Sequence, residues 1–193
     1  STTLELQLNS WMSEISPGVK LHFSKVQKHD MSHVEIDTYR STNTGFGISY
    51  ALPIVLSLLV LSSTDGTEKL TNEAANTWIT SHSEQSPLLI IENPEAHLHP
   101  RGQTAMGELV AKAAAAGVQI IVETHSDHFL DGVRIAVKEK IIDNKNVSLK
   151  FFEKSKEGAS SVTDILLSGD GSIENWPEGY FDQMYTNLKK LSS

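Results

Sequence analysis

Residues 87–100 decide the fold, and they read Pro87-Leu88-Leu89-Ile90-Ile91-Glu92-Asn93-Pro94-Glu95-Ala96-His97-Leu98-His99-Pro100. Four apolar residues follow one another without interruption and end at an acid, Glu92. Such a run is typical of a strand that is fully buried in the centre of a parallel sheet. Because open α/β sheets bind ligands at the carboxyl ends of their strands, we expect Glu92 at a ligand-binding edge.

Two prolines stiffen the residues that follow this acid. Pro94 and Pro100 fix the backbone and lack an N–H donor, so neither a longer strand nor a helix can run across the stretch. We therefore predict a rigid loop at residues 92–99, the acid loop. It carries two acids and two histidines: Glu92, Glu95, His97 and His99.

A second apolar run, residues 118–122, lies one helix further along the chain. Apolar residues at helical spacing predict that helix over residues 103–116. Strand, helix and strand over residues 88–122 form one right-handed βαβ unit, so both strands should end at the same edge. The second strand leads into residues 123–128, the histidine loop, in which His125 is the first histidine.

Two glycines precede an apolar segment that runs to about residue 62. Gly45 and Gly47 are two positions apart, which lets backbone amides turn toward one point. Together with the N-terminus of a following helix, this pattern predicts an anion-binding site. The pattern is short, and a glycine turn before a core helix explains it equally well.

The remaining segments predict structure at both ends of the chain. Residues 3–15 have the spacing of an amphipathic helix, and residues 19–27 and 33–39 alternate like the strands of a hairpin. Residues 147–152 and 161–167 predict a second hairpin, followed by a short final helix. The fold class is therefore α/β, with a parallel sheet core, flanking helices, an N-terminal antiparallel hairpin and a small C-terminal β/α extension. We place the boundary between core and extension after residue 145, which gives domains of residues 1–145 and 146–193, and we expect residues 63–86 to be a polar connector with a short helix.

The composition excludes several classes of protein. No apolar run reaches about 18 residues, so a spanning helix is excluded. The chain has no cysteine, which excludes disulfides and thiolate metal sites and is compatible with the cytoplasm. A net charge of −8 argues against a surface that binds nucleic acid as a whole, although a local basic patch stays open.

Several motifs together resemble an ATPase family. Residues 90–100 resemble the Walker B segment and D-loop of the overcoming-lysogenization-defect, RecF and SMC-like ATPases, which are of the ATP-binding cassette type. Residues 122–126 resemble the switch-histidine segment of these proteins, and residues 43–53 resemble their signature segment. Residues 176–182 are similar to the C-terminal extension of one bacterial branch, of the DUF3696 kind. The resemblance covers nearly all of the chain and implies a P-loop-type sheet.

The resemblance implies ATP and Mg²⁺ as cofactors. By position, Glu92 would hold Mg²⁺ through water, and His125 would contact the γ-phosphate. Asn93 stands where many relatives have the catalytic glutamate, and an amide cannot accept a proton. Two alternatives stay open, namely that Glu95 serves instead or that turnover is slow.

The resemblance also implies contacts across a homodimer, and four residues are assigned to them: Gly45, Gly47, His97 and His99. The glycines would contact the nucleotide of the opposing subunit, and the histidines would lie at the dimer seam. Gly45 occupies the place of the signature serine, for which Ser49 or Thr44 would substitute.

The sequence of the phosphate-binding loop, Gly-x-x-x-x-Gly-Lys-Ser/Thr or Walker A, does not occur in the 193 residues. In the resembled ATPases this motif precedes the signature. We therefore expect the chain to be the C-terminal half of an ATPase head that is inactive without the N-terminal half. The family implies a cytoplasmic protein of the DNA-repair or phage-defence type.

Two other functions stay open. A metal-dependent hydrolase would bind Zn²⁺ through a set drawn from His97, His99, His125, Asp127 and His128. Glu123 occupies the first histidine position of the metallo-β-lactamase pattern, which argues against that function. The third candidate is a non-catalytic module that dimerises or docks through its aromatic tail.

Overall fold

The computed structural model describes residues 3–26, 31–36, 39–40, 46–63, 86–155 and 158–192. The helices are α1 (Thr3–Ile15), α2 (Phe46–Leu61), α3 (Pro100–Ala115), α4 (Asp127–Lys138) and α5 (Gln183–Leu191). The strands are β1 (Leu21–Val26), β2 (Met31–Ile36), β3 (Tyr39–Arg40), β4 (Leu88–Glu92), β5 (Gln119–Glu123), β6 (Leu149–Lys154) and β7 (Ser160–Ile165). These elements confirm the predicted α/β class.

The central βαβ unit is present as predicted. Strands β4 and β5 pair in parallel, and their register ends with Glu92 opposite Glu123. Helix α3 begins at Pro100, three residues before its predicted start, because proline is well suited to the first helical position, where no N–H partner is needed. The ends of β4 and β5 form one edge of the sheet, the carboxyl edge.

The prediction that β4 is fully buried is wrong. Ile91 is 7% exposed and packs into the main core, whereas Leu88 and Ile90 on the opposite face are 53% and 65% exposed. Ile121 on β5 is exposed on that same face. Four successive apolar residues fit a strand covered on both faces, but in the described part of the chain only one face of this sheet is covered.

The N-terminal elements complete the main core. Helix α1 buries Leu8, Met12 and Ile15 against α2 and α3. The predicted hairpin is confirmed as β1 and β2, and β3 is an additional short strand of the same antiparallel sheet. Asn9 fixes the start of this sheet to α1, because its side chain accepts a hydrogen bond from Leu21 N (2.7 Å) and donates one to Leu21 O (3.2 Å).

The C-terminal extension is built on the second predicted hairpin. Strands β6 and β7 pair antiparallel, from Leu149 opposite Ile165 to Lys154 opposite Ser160. Tyr180 lies at the centre of an aromatic cluster, with edge-on ring contacts to Phe151, Trp176 and Phe181. Burial raises the pKa of Tyr180 to about 12. Tyr180 also packs with Leu130 of α4, which joins the extension to the helix after the histidine loop.

Some expectations concern residues outside the described ranges. These are the predictions for Gly45 and Thr44 and the short helix in the connector. The proposed boundary between residues 145 and 146 stays a prediction. No helix within the described ranges is long and apolar enough to span a membrane.

Candidate functional site

The carboxyl edge brings Glu92 and the histidine loop together. The register places Glu92 opposite Glu123, and Asn93 N donates a hydrogen bond to Glu123 O (2.9 Å), which extends the pairing beyond the strands. The side chain of Glu92 is exposed at this edge. His125 follows Glu123 by two residues, so the acid and the imidazole proposed from the sequence belong to neighbouring loops.

The side chain of His125 is presented to solvent. It is 82% exposed, and its Nε2 lies 2.8 Å from Oε1 of Glu123, which is 48% exposed. A pair this open to water adds little stability, so its main effect is to orient the imidazole. The orientation leaves His125 accessible at the carboxyl edge.

Two residues of the acid loop have left-handed backbone angles. The backbone angle φ is 47° at Asn93 and 62° at His97. Residues other than glycine adopt such values rarely, and asparagine does so more readily than most. Ala96 N donates to Asn93 O and Leu98 N donates to Glu95 O, so the loop consists of successive tight turns. Leu98 is buried, whereas His97 and His99 are exposed.

The start of α2 packs directly against the acid loop. A β-carbon at Gly47 would lie 2.5 Å from the carbonyl oxygen of His97, so this position requires glycine. An open groove of about 470 Å³ has Gly47, His97 and His99 in its lining. Tyr50 donates a hydrogen bond from its hydroxyl to Glu92 O (2.7 Å), which ties α2 to the end of β4. Ser49, one residue before Tyr50, is exposed.

Glu95 has a different setting from Glu92, because its side chain is buried. Glu95 is 8% exposed, and each of its two carboxylate oxygens accepts a hydrogen bond from a different donor. Thr124 Oγ1 donates to Oε2 (2.8 Å), and the backbone N of His125 donates to Oε1 (2.9 Å). The acid loop and the histidine loop are therefore joined by one buried carboxylate.

A second connection runs through Gln103 of α3. Its Nε2 donates to Leu98 O (2.9 Å), and its Oε1 accepts a hydrogen bond from Ser126 Oγ (2.6 Å). Ser126 Oγ in turn accepts from Phe129 N (3.0 Å) and caps α4. This network fixes the residue after His125.

Hard oxygen ligands at the carboxyl edge fit a water-held Mg²⁺. Mg²⁺ is usually bound by one or two carboxylates together with substrate phosphates, and Glu92 offers an exposed carboxylate next to Glu123. Within the described ranges, no three His, Asp or Glu side chains are grouped to hold a metal ion. The zinc hydrolase considered from the sequence therefore gains no support.

Sequence reasoning missed several residues of this site. Glu123 ends an apolar run just as Glu92 does, and that signal could have identified it. Thr124 and Gln103 carried no pattern, because their partners are distant in sequence. Tyr50 also carried no pattern, because its partner Glu92 lies 42 residues away.

Comparison with known proteins identifies two families in the chain. Residues 5–130 match a family model described as AAA ATPase domain. Residues 142–191 match a family of unknown function, DUF3696. No curated protein sequence matches the chain.

Solved structures of SMC ATPase heads have a similar fold. One, from work on ATP-driven dimerization and DNA-stimulated activation of SMC ATPases, has 12% sequence identity and a TM-score of 0.52 over 98% of this chain and 91% of its own. Two Smc head domains with coiled coils are from Pyrococcus furiosus, bound to the C-terminal domain of ScpA, and from Pyrococcus yayanosii. Each is 12% identical over 98% of this chain, with TM-scores of 0.52 and 0.54. The chain spans only 38% and 29% of those two proteins.

These similarities confirm the predicted fold of an SMC-like ATPase head. The family match covers more than half of the chain and includes both the acid loop and the histidine loop. The chain therefore belongs to the AAA ATPase domain family.

Proposed function

We propose that the chain supplies the Mg²⁺-binding acid and the γ-phosphate-contacting histidine of an ATPase head. The observation that carries this proposal is the parallel register that ends with Glu92 opposite Glu123 and leads directly to exposed His125. Phosphoryl transfer needs a carboxylate for the metal and a group at the γ-phosphate, and this edge offers both.

Each residue has one role in the proposed reaction. Glu92 would hold Mg²⁺ through water, and the metal would neutralise the charge that develops on the transferred phosphoryl group. His125 donates a hydrogen bond to the γ-phosphate. Asn93 orients the attacking water but cannot take its proton, so we expect slow turnover.

The proposed partners are an N-terminal half that carries Walker A and a second head. The exposed apolar face formed by Leu88, Ile90 and Ile121 supports the first, because parallel strands are normally covered on both faces. Gly45 and Gly47 would contact the nucleotide of the second head, with Ser49 in place of the signature serine. His97 and His99 would lie at the seam between the two heads. A role of the DNA-repair or phage-defence type rests on the family resemblance alone.

Complementation tests the proposed function. We expect the 193-residue chain alone and the Walker A half alone to show no Mg²⁺-dependent ATP hydrolysis, whereas the two together hydrolyse ATP. Phosphate release is measured for each part and for the mixture, with EDTA as the control for metal dependence. Strong turnover by the chain alone would contradict the proposal. So would a mixture that assembles without turnover and dimerises independently of nucleotide, since that behaviour favours a non-catalytic module.

A further inference from the structure

Building on the proposed ATPase function, we propose that Glu95 is a positioning residue that holds His125 in place for the γ-phosphate. Glu95 was a candidate general base when only the sequence was considered. Its setting in the structure fits a different task, because its carboxylate joins the acid loop to the histidine loop. It acts on the reaction through His125 and not on the substrate.

The first argument is that the Glu95 carboxylate is already engaged. The side chain is 8% exposed, and each oxygen accepts one hydrogen bond, from Thr124 Oγ1 and from His125 N. A general base must come within hydrogen-bond distance of the water it deprotonates. Glu92 is exposed at the carboxyl edge and is available to the metal, whereas Glu95 is turned into the protein.

The second argument is that the backbone around His125 is fixed on both sides. Glu95 holds Thr124 and the N–H of His125, and Gln103 holds Ser126. The imidazole itself stays 82% exposed. A fixed backbone and an exposed imidazole suit a side chain that must reach a phosphate oxygen at a defined position. A displacement of a catalytic group by about 1 Å can lower a rate about 100-fold.

The third argument concerns the hydrogen-bond polarity of Thr124. Its Oγ1 accepts a hydrogen bond from Ser126 N (3.2 Å), so its proton is free to point to Glu95. An acceptor at position 95 therefore satisfies both Thr124 and His125 N. A glutamine at position 95 keeps an oxygen that accepts from His125 N, and its amide group can donate a hydrogen bond to Thr124 Oγ1. Alanine removes both hydrogen bonds.

Three variants of the assembled head separate positioning from base catalysis. With a positioning role, Glu95→Ala lowers kcat about 100-fold while the KM for ATP stays within about twofold. Glu95→Gln then keeps kcat within about tenfold of the unchanged head, because it retains the bond to His125 N. A general base would lose about 10²- to 10⁴-fold in both variants, since neither side chain accepts a proton. Glu153→Ala on β6 is the control for removing a glutamate.

A measurement on the 193-residue chain without nucleotide keeps this test independent of the proposed function. In isotope-labelled chain, the amide proton of His125 should resonate downfield because it donates to a carboxylate. It should move upfield in Glu95→Ala and less in Glu95→Gln, at a temperature where all variants are folded. If Glu92→Gln leaves turnover unchanged, the proposed function fails, and this amide signal still decides whether Glu95 holds His125.

Two results would overturn the positioning role. One is an equal loss of kcat in Glu95→Gln and Glu95→Ala, which is the pattern of a base. The other is an unchanged His125 amide signal and unchanged kcat in Glu95→Ala, which would make the carboxylate a packing group only. Thr124→Ser and Thr124→Val extend the comparison, since serine keeps the hydroxyl and valine removes it, so kcat should fall only in the second.

Discussion

Glu92→Gln is expected to lower ATP turnover by the assembled head by about 10²- to 10³-fold, the range seen when one group that stabilises transition-state charge is removed. The exposed amide keeps the size of the side chain but loses the negative charge that holds a metal-bound water. Stability should change little, because the side chain lies at the surface of the carboxyl edge. Phosphate release at saturating ATP, and at a Mg²⁺ concentration that just saturates the unchanged head, measures the effect.

Glu153→Gln is the matched control for this change. Glu153 is an exposed glutamate on β6 of the extension, and its replacement should leave turnover within about twofold, as expected for a surface change away from the site. Equal turnover of Glu92→Gln and Glu153→Gln would remove Glu92 from the reaction. A loss that is fully recovered by raising the Mg²⁺ concentration would support a metal-binding role specifically.

Gly132→Ala is expected to destabilise the chain by about 2–3 kcal/mol, although alanine normally favours a helix by about 1 kcal/mol over glycine. Helices α3 and α4 touch at Gly107 and Gly132. A β-carbon at Gly132 would lie 2.1 Å from Thr104 O and 2.9 Å from Glu108 N. Both are backbone atoms, so the overlap is relieved only if the helices separate.

Gly169→Ala is the control for the glycine substitution. A β-carbon there would meet the Lys140 Nζ at 3.5 Å and the Asn144 Oδ1 at 3.6 Å, which are ordinary contacts at the ends of side chains. Urea unfolding of both variants gives the comparison. A Gly132→Ala chain as stable as the Gly169→Ala chain would mean that the helix contact is looser than described. Separation of the helices would also shift α4, whose N-cap Ser126 follows His125, so turnover should fall in the same variant.

The central βαβ unit could be predicted because its pattern is local. An uninterrupted apolar run at residues 88–91 and a second run at residues 118–122, broken only by Gln119, are separated by a helix and predict parallel strands. The matching of Glu92 with Glu123 follows from that topology. The coverage of β4 could not be predicted, since an apolar run does not tell how many faces are packed. The sequence pattern of Leu88 and Ile90 is that of core residues. Both are exposed, because only one face of this sheet is covered in the described part of the chain.

The candidate site was predicted less completely than the fold. Its exposed members, Glu92 and His125, follow directly from the ends of the strands. The burial of the Glu95 carboxylate could not be predicted, because its partner Thr124 lies 29 residues away and no periodicity connects the two residues. Sequence patterns report which residues are apolar at regular spacing, and they carry no such signal for a hydrogen bond between two loops.

The position of bound nucleotide relative to His125 can be measured with Mn²⁺ in place of Mg²⁺. The assembled head is loaded with Mn²⁺ and a non-hydrolysable ATP analogue, and the histidine signals are recorded by NMR. If Glu92 and His125 face one nucleotide, the imidazole signals of His125 broaden strongly, and the broadening is lost in Glu92→Gln. Sharp His125 signals while the Mn²⁺-nucleotide complex is bound would contradict a shared site for these two residues.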